Sequence, residues 1–241
     1  LGFERVMTVG SAEIAEAAKL LENIFRSVNI AMVNELKLVF SELGIDIWEV
    51  IEAASSKPFG FMPFYPGPGL GGHCIPIDPF YLTWRAKEVG AHCRFIELSG
   101  EINSSMPEYV VERTILALNG ARKAIAGARI LVLGLAYKKN VDDTRESPAF
   151  EVIEHFLSLG ARVDYSDPHV PKAPRVRRHE LELESVKLTA EAIEGYDAIV
   201  IITDHERIEY ELIAQHARLV IDSRNAMKPW RETLGPRLVQ A

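Results

Sequence analysis

The stretch ARILVLGLA, residues 128–136, decides the fold of the second half of the chain. It is a short apolar run that includes Gly134 near its end, a pattern typical of a strand buried on both faces. Three further apolar runs predict strands: ARVDYSDP at 161–168, DAIVIIT at 197–203 and ARLVIDS at 217–223. Strands of this kind are expected in a parallel sheet that is covered on both sides.

Helical segments separate these strands. SPAFEVIEHFLSLG, residues 147–160, predicts a helix with Ser147 as its N-cap and Pro148 at its first position. HERIEYELIAQH, residues 205–216, predicts another. The alternation of strands and helices predicts an α/β fold, a Rossmann-like doubly wound parallel sheet, over residues 119–241. Ligands are expected at the carboxyl ends of its strands.

The first half of the chain is predicted to be mostly helical. Residues 11–43 carry one long helical pattern, with Ser11 as a possible N-cap and Gly44 just past the end. The apolar positions of this helix, which recur near the 3.6 period, are Ile14, Leu21, Ile24, Val28, Met32, Val39 and Leu43. A helix of this length often forms a spine between domains or subunits.

Three shorter helical segments follow. One starts after Asp46 as a plausible cap and ends before Pro58, the next covers residues 80–90, and the last runs from about Glu97 to Leu118. Within that last segment Pro107 predicts a break, because proline removes a helix hydrogen bond.

These patterns divide the chain into a central helical domain, residues 1–118, and a Rossmann-like domain, residues 119–241. The sequence begins LGFERVMTVGS, without an initiator Met and without the basic start and apolar run of a signal peptide. It reads as if it enters in the middle of a protein, so we expect a missing first domain.

Composition limits the classes of function. The net charge is −7 with both signs spread along the chain, which argues against a nucleic-acid partner. No run approaches the ~20 consecutive apolar residues of a membrane span. The two cysteines, Cys74 and Cys93, favour a reducing compartment, and we expect a cytoplasmic protein without disulfides. Both follow a histidine, but adjacent side chains point apart, so no metal site is predicted.

The loop GPGLGGHCIPIDP, residues 67–79, matches the literal pattern G-x-G-x-x-G. It is not a dinucleotide fingerprint, because no strand precedes it and Pro76 and Pro79 prevent a helix from opening directly after it. Its glycines would let a ligand approach the main chain, and its prolines fix the loop in advance. Cys74 is therefore either an inert buried cysteine or a preorganised nucleophile.

Possible partners of this cysteine lie elsewhere. Lys19 and Asn23 share one face of the long helix, although their spacing alone favours an ordinary solvent-facing edge. Asp78 follows Cys74 by four residues and is either a turn residue or a base.

Basic residues follow two of the predicted strands. Lys138, Lys139 and Arg145 flank the start of a helix, where cations suit phosphates, although a solvated charged loop is an equal alternative. Arg224 follows the fourth strand, at the same edge of the sheet.

Four motifs occur in order along the chain: AEAAKLLENIFRSVNIAMVNEL, GPGLGGHCIPIDPFYL, VLGLAYKKNVDDTRESP and IDSRN. Together they resemble the UDP-glucose/GDP-mannose dehydrogenase family, and the sequence around the cysteine most resembles that of the UDP-N-acetylglucosamine 6-dehydrogenases. The resemblance covers essentially the whole chain. It implies three parts: an N-terminal NAD-binding domain, absent here, a helical middle that forms a homodimer through the long helix 11–43, and a C-terminal domain that binds the UDP-sugar.

The resemblance also implies a reaction, in which the C6 alcohol of the sugar is oxidised to a carboxylate with two NAD⁺ reduced. Cys74 matches the nucleophile that forms a thiohemiacetal and then a thioester. The other matching positions are Lys19 and Asn23 as oxyanion donors, Asp78 for water activation, Lys138 and Arg224 as sugar-nucleotide contacts, Arg145 as an NAD contact, and Tyr65, Gly69 and Gly71 as the lining of the sugar pocket.

Two alternatives remain open at this point. The same chemistry could act on UDP-glucose, UDP-N-acetylmannosamine or GDP-mannose. The chain as it stands could instead be a non-catalytic module for dimerisation and nucleotide-sugar binding.

Overall fold

The computed structural model describes residues 6–241. Four helices occupy the first half of the chain: α1 (Ala12–Glu42), α2 (Ile47–Ser55), α3 (Asp78–Glu88) and α4 (Arg94–Gly120). The second half alternates: β1 (Arg129–Leu133), α5 (Pro148–Ser158), β2 (Arg162–Ser166), α6 (Ala190–Glu194), β3 (Ala198–Ile201), α7 (Tyr210–His216), β4 (Val220–Asp222), α8 (Arg231–Leu234) and β5 (Leu238–Gln240).

The five strands form one parallel sheet in the order β2-β1-β3-β4-β5. Successive residues of β1 point to opposite faces of the sheet and pack into two different hydrophobic cores. Ile130 and Val132 pack against α4 and α5, whereas Leu131 and Leu133 pack against α6, α7 and α8. The predicted doubly wound sheet is therefore confirmed. The strand order reverses between β1 and β3, so a crevice is expected at the carboxyl ends of these two strands.

Helix α1 is one 31-residue helix, about 46 Å long at ~1.5 Å per residue. Ser11 caps its start as predicted. The residues that it buries against the rest of the chain are mostly small or polar: Asn23, Ser27, Ala31, Val33, Asn34 and Lys37. Several of its apolar side chains are instead exposed, among them Ile14, Leu21, Phe25, Met32 and Val39. The apolar residues Val33, Leu36 and Phe40 pack inwards against α2. This helix thus buries polar residues along much of its inner face and carries an apolar stripe on its outer face.

The predicted break at Pro107 is wrong, because α4 continues through this proline as a 27-residue helix. Proline removes the hydrogen bond to the carbonyl oxygen of Asn103, and tertiary packing compensates. Met106 and Val110 on either side are completely buried, and the side chain of Asn103 is hydrogen-bonded to α1. The second half of α4 packs into the core of the sheet, so α4 crosses the predicted domain boundary at residues 118 and 119.

The helix predicted over residues 205–216 is also shorter than expected. It covers only Tyr210–His216, because His205 is buried beneath the loop that follows β1. The sequence patterns did not predict the short helix α6 or the edge strand β5. Within residues 6–241, no helix combines the length and apolar character needed to cross a bilayer.

Candidate active site

Cys74 lies in the turn that starts helix α3. Its carbonyl oxygen accepts hydrogen bonds from the backbone N–H groups of Ile77 at 3.2 Å and Asp78 at 2.8 Å. Pro79 occupies the first turn of the helix, where its missing N–H costs nothing. The thiol is partly exposed, and its Sγ lies 3.9 Å from Nδ1 of His73. The chain therefore holds Cys74 and Asp78 at fixed positions in one tight turn.

Asn23 on α1 meets this turn. Its side-chain Nδ2 donates a hydrogen bond of 3.1 Å to Oδ2 of Asp78, and the Asn23 side chain is buried. Two of the predicted partners of Cys74 are thus joined to each other directly beside it.

Lys19 lies outside this hydrogen-bonded group. Its ammonium pairs with Glu22 at 2.9 Å, and 62% of its side chain is exposed. Lys19 is one turn from Asn23 on the same helix, as the spacing predicts. Its side chain is free to reorient towards a ligand, because an exposed ion pair of this kind contributes at most about 1 kcal/mol.

The glycine loop packs against the second half of the chain. The N–H of Gly72 donates to the carbonyl oxygen of Arg145 at 2.9 Å. A Cβ at Gly71 would lie 2.5 Å from Cβ of Tyr137, and one at Gly69 would lie 3.2 Å from Cβ of Pro148. Protein atoms therefore occupy the side of each glycine on which a side chain would stand. That these glycines contact a ligand through the rest of their backbone remains a prediction.

Tyr65 lies upstream in the same loop. Its ring stacks on Trp48 of α2, with 5.8 Å between the ring centroids, and about half of the side chain is exposed. The stacking orients the ring while much of the side chain stays exposed.

Arg145 forms a bidentate pair with the carboxylate of Asp143. The hydrogen bond from Arg145 lowers the pKa of Asp143, and the bond to Asp143 raises the pKa of Arg145. Cys74 adds to the rise for Arg145, and His73 adds to the fall for Asp143. This cation therefore lies within electrostatic reach of the cysteine turn, with 60% of its side chain exposed.

Lys138 and Arg224 both lie at the carboxyl edge of the sheet. Lys138 is exposed in the loop after β1, and Arg224 follows β4, where its Nε lies 3.4 Å from Asp204. The backbone N–H of Arg224 donates to the buried carboxylate of Asp222. The structure thus places these two cations beside the crevice expected between β1 and β3.

Asp167 and His205 position the loop that carries Lys138, and neither was predicted. The Asp167 carboxylate accepts the N–H groups of Leu135 and Ala136 and a hydrogen bond from Nε2 of His205. Burial acts to raise the pKa of Asp167, but these hydrogen bonds outweigh it and hold the pKa at about 2. Their only sequence signal is their position: Asp167 lies at the end of the predicted strand 161–168, and His205 follows the predicted strand 197–203.

His205 completes the connection to the loop. Its Nδ1 accepts the backbone N–H of Asn140 at 3.0 Å, two residues beyond Lys138. Among the described residues, no group of three or more His, Cys, Asp or Glu side chains is arranged to hold a metal ion.

Comparisons with known proteins identify the family. The central-domain model of the UDP-glucose/GDP-mannose dehydrogenase family matches residues 13–105, and the model of its UDP-binding domain matches residues 131–229. The UDP-N-acetyl-D-glucosamine 6-dehydrogenase of Pseudomonas aeruginosa is 35% identical over 212 residues, which is 86% of this chain and 49% of that protein. The UDP-N-acetyl-D-mannosamine dehydrogenase of Pyrococcus horikoshii is 39% identical over 223 residues, 90% of this chain and 50% of that protein.

Similar folds occur among crystal structures. The NDP-N-acetyl-D-galactosaminuronic acid dehydrogenase of Methanosarcina mazei superposes with a TM-score of 0.81 at 29% identity, over 96% of this chain and 50% of that one. The chain thus spans about half the length of the relatives that it matches. Through both matched domains, the chain belongs to the UDP-glucose/GDP-mannose dehydrogenase family.

Proposed function

We propose that this chain is the central and C-terminal part of an NAD-dependent nucleotide-sugar 6-dehydrogenase. The proposed substrate is a UDP-sugar, first of all UDP-N-acetylglucosamine, whose C6 hydroxyl is oxidised to a carboxylate in two steps. The observation that carries the proposal is the meeting of Asn23 and Asp78 beside Cys74, across 55 residues of sequence. The names of the relatives, which specify UDP-N-acetylglucosamine and UDP-N-acetylmannosamine, support the substrate class.

Cys74 is the proposed nucleophile. The first oxidation converts the C6 alcohol to an aldehyde. The Cys74 sulfur then bonds to the aldehyde carbon, and the alkoxide formed takes up a proton to give a thiohemiacetal. Loss of a hydride from that carbon and of the hydroxyl proton gives a thioester. Water then adds to the thioester carbon, the C–S bond breaks, and the thiol is regenerated as the carboxylate leaves.

The neighbours of Cys74 suit the remaining tasks. Asp78 is proposed to take a proton from the attacking water. Asn23, which donates to Asp78 in this structure, is proposed to donate to the oxygen at C6 where negative charge develops. Lys19 supplies a second, cationic donor after its side chain leaves the exposed pair with Glu22.

The UDP-sugar is proposed to bind along the crevice at the carboxyl edge of the sheet. Lys138 and Arg224 would contact the diphosphate side of the ligand, since cations near strand ends and helix starts suit phosphates. Tyr65, Gly69 and Gly71 would line the sugar end, which places C6 near the cysteine turn.

NAD is the proposed cofactor, and when bound it accepts the hydride in each oxidation. Arg145 is the residue of this chain proposed to contact it, because its exposed guanidinium suits a pyrophosphate and lies beside the cysteine turn. Within residues 6–241 no G-x-G-x-x-G loop joins a strand to a helix. The main dinucleotide-binding site is therefore proposed to lie in a separate domain.

A homodimer is proposed through α1. Its outward apolar stripe, including Leu21, Phe25 and Met32, recurs at spacings of four and seven residues along the helix. Such a stripe fits a second long helix, and closed twofold pairing of two copies is the commonest way to cover it.

The second candidate is a non-catalytic module for dimerisation and nucleotide-sugar binding. The exposed Lys19–Glu22 pair, in which the proposed oxyanion donor is turned to solvent, favours it for the isolated chain. Calorimetric titration of the 241-residue chain tests both candidates. We expect heat of binding with UDP-sugars and none with NAD⁺, a dimer by light scattering, and no NADH. Failure to bind any UDP-sugar contradicts both candidates.

A further inference from the structure

The side-chain amide of Asn34 connects three elements at the centre of the molecule. Asn34 lies on α1 and is completely buried. Its Oδ1 accepts the backbone N–H of Gly67 at 2.9 Å, and its Nδ2 donates to Oδ1 of Asn103 on α4 at 3.0 Å. Nδ2 of Asn103 in turn donates to the carbonyl oxygen of Ser27 on α1 at 3.1 Å. Donors and acceptors alternate without conflict from the loop to both helices.

The loop end of this chain of hydrogen bonds is otherwise weakly held. Over residues 58–71, the N–H of Gly67 is the one backbone amide with a hydrogen-bond partner among the described residues. Pro66 and Pro68 flank it, and all three residues are buried. The position of this stretch therefore depends on Asn34 more than on any regular backbone structure.

Gly67 is also the point where the loop meets Arg224. A Cβ at Gly67 would overlap the Arg224 guanidinium, so the two residues are in close contact. On the other side of the loop, a Cβ at Gly69 would stand 3.4 Å from the Asn103 carbonyl oxygen, which Pro107 leaves without its helix partner. Asn34 thus sets the spacing between α1, α4, the cysteine loop and Arg224.

We infer that Asn34 is a positioning residue that fixes the Cys74 loop relative to Arg224. The inference rests on the proposed function, in which the loop carries the nucleophile and Arg224 contacts the nucleotide. An apolar side chain would pack in the same space, but it would leave Gly67 N–H and Asn103 Oδ1 unpaired, and burying such groups costs about 1–3 kcal/mol each. Asparagine at this position favours a single placement of the loop, because both hydrogen bonds form only when Gly67 lies where it does.

The test compares Asn34→Leu, which removes both hydrogen bonds, with Asn34→Asp, which keeps an acceptor for Gly67. Asn29→Leu is the matched control on the same helix, because within residues 6–241 the Asn29 side chain donates only to the Phe25 carbonyl oxygen. Hydrogen–deuterium exchange of the 241-residue chain is followed in a peptide over residues 59–72 and in one over β1. In Asn34→Leu we expect the slowest-exchanging amide of the loop peptide, that of Gly67, to exchange about tenfold faster, as for the loss of a hydrogen bond of about 1.4 kcal/mol, with β1 unchanged.

Asn29→Leu is expected to exchange like the unchanged chain. Asn34→Asp keeps the acceptor for Gly67 but loses the donor to Asn103, so it should loosen the loop clearly less than Asn34→Leu does. The inference is overturned if loop exchange stays the same in Asn34→Leu, if Asn34→Asp loosens the loop as much, or if loop and sheet loosen equally. If Asn34→Leu does not fold, the Gly67 amide is measured by NMR in the unchanged chain. It should be the slowest amide in residues 58–71, and exchange as fast as its neighbours overturns the inference.

Turnover separates this inference from the proposed function. In the complete gene product we expect kcat with a UDP-sugar to fall about 10²-fold in Asn34→Leu, as for a misplaced reacting group, and to fall less in Asn34→Asp, which keeps the bond to Gly67. If the unchanged protein oxidises no nucleotide sugar, the proposed function fails whatever the exchange experiment gives. If it is active and Asn34→Leu keeps full kcat, the positioning role is wrong and the proposed function stands.

Discussion

The carboxylate of Asp78 accepts a hydrogen bond from the side-chain amide of Asn23 at 3.1 Å, although 55 residues separate them in the chain. The backbone N–H of Asp78 donates to the carbonyl oxygen of Cys74 at 2.8 Å. Helix α1 is therefore joined to the cysteine turn by the hydrogen bond from Asn23 to the Asp78 carboxylate.

Replacing Cys74 with serine should abolish formation of the uronic acid by the complete gene product. Serine has nearly the same shape, but it is a poor nucleophile at neutral pH without a strong base. Cys93→Ser is the control, because Cys93 lies at the start of α4, outside the proposed site. Product is measured by mass spectrometry after a fixed incubation. Yields from Cys74→Ser that equal those of the control would remove Cys74 from the mechanism.

Lys19→Ala should lower turnover about 10²–10³-fold, the usual loss for one oxyanion donor. Its melting temperature should stay unchanged, because the Lys19 side chain is largely exposed and pairs only with Glu22. Lys87→Ala removes a comparable exposed pair, with Glu97, and should leave turnover unaffected. Equal turnover in the two variants would make Lys19 an ordinary surface residue.

Gly134→Ala should destabilise the fold strongly. Gly134 has φ +85°, and a Cβ there would lie 2.6 Å from the carbonyl oxygen of Thr203, where the loops after β1 and β3 touch. Gly127 has φ +80° but open space around it, so Gly127→Ala isolates the backbone strain of about 1–2 kcal/mol. Urea unfolding should show a clearly larger loss for Gly134→Ala. Similar losses would show that the predicted contact with Thr203 relaxes without cost.

The stability of the chain should rise between pH 7 and pH 9 because of Lys37. Burial lowers the pKa of Lys37 to about 7, with Arg224 and Arg113 adding to the fall and Asp222 opposing it. In the unfolded chain the pKa returns to about 10.4, so the unfolded state binds more protons across this window and stability increases with pH.

The expected gain is about 2 kcal/mol over those two pH units, and Lys37→Met should remove it. Urea unfolding of both proteins at pH 7 and pH 9 gives the comparison. A gain of the same size in Lys37→Met would assign the pH dependence to other groups.

Local patterns predicted much of the fold. The apolar run of β1 and the Ser147–Pro148 start of α5 depend on neighbouring residues only, and both are confirmed. Pro107 was misjudged because tertiary packing overrides a local rule, and β5 was missed because a three-residue edge strand carries too little pattern. Such cases depend on the rest of the fold.

The candidate site was also predictable only in part. Cys74, Asp78 and Asn23 could be proposed together from a family resemblance, and the structure brings them together. The bond between Asp167 and His205 joins residues that follow different strands, and no periodicity reports it. The buried polar residues of α1, including Asn34, were likewise hidden, because several large apolar residues of that helix are exposed and dominate the pattern.

The central claim is that a UDP-sugar is oxidised twice at C6 with Cys74 as the covalent carrier. The most direct test incubates the complete gene product with NAD⁺ and a panel of nucleotide sugars, with UDP-N-acetylglucosamine first, and measures NADH and product together. We predict two NADH for each uronic acid formed and no free aldehyde. One NADH per product, with an aldehyde or ketone as the end point, or no NADH with any nucleotide sugar, would contradict this account.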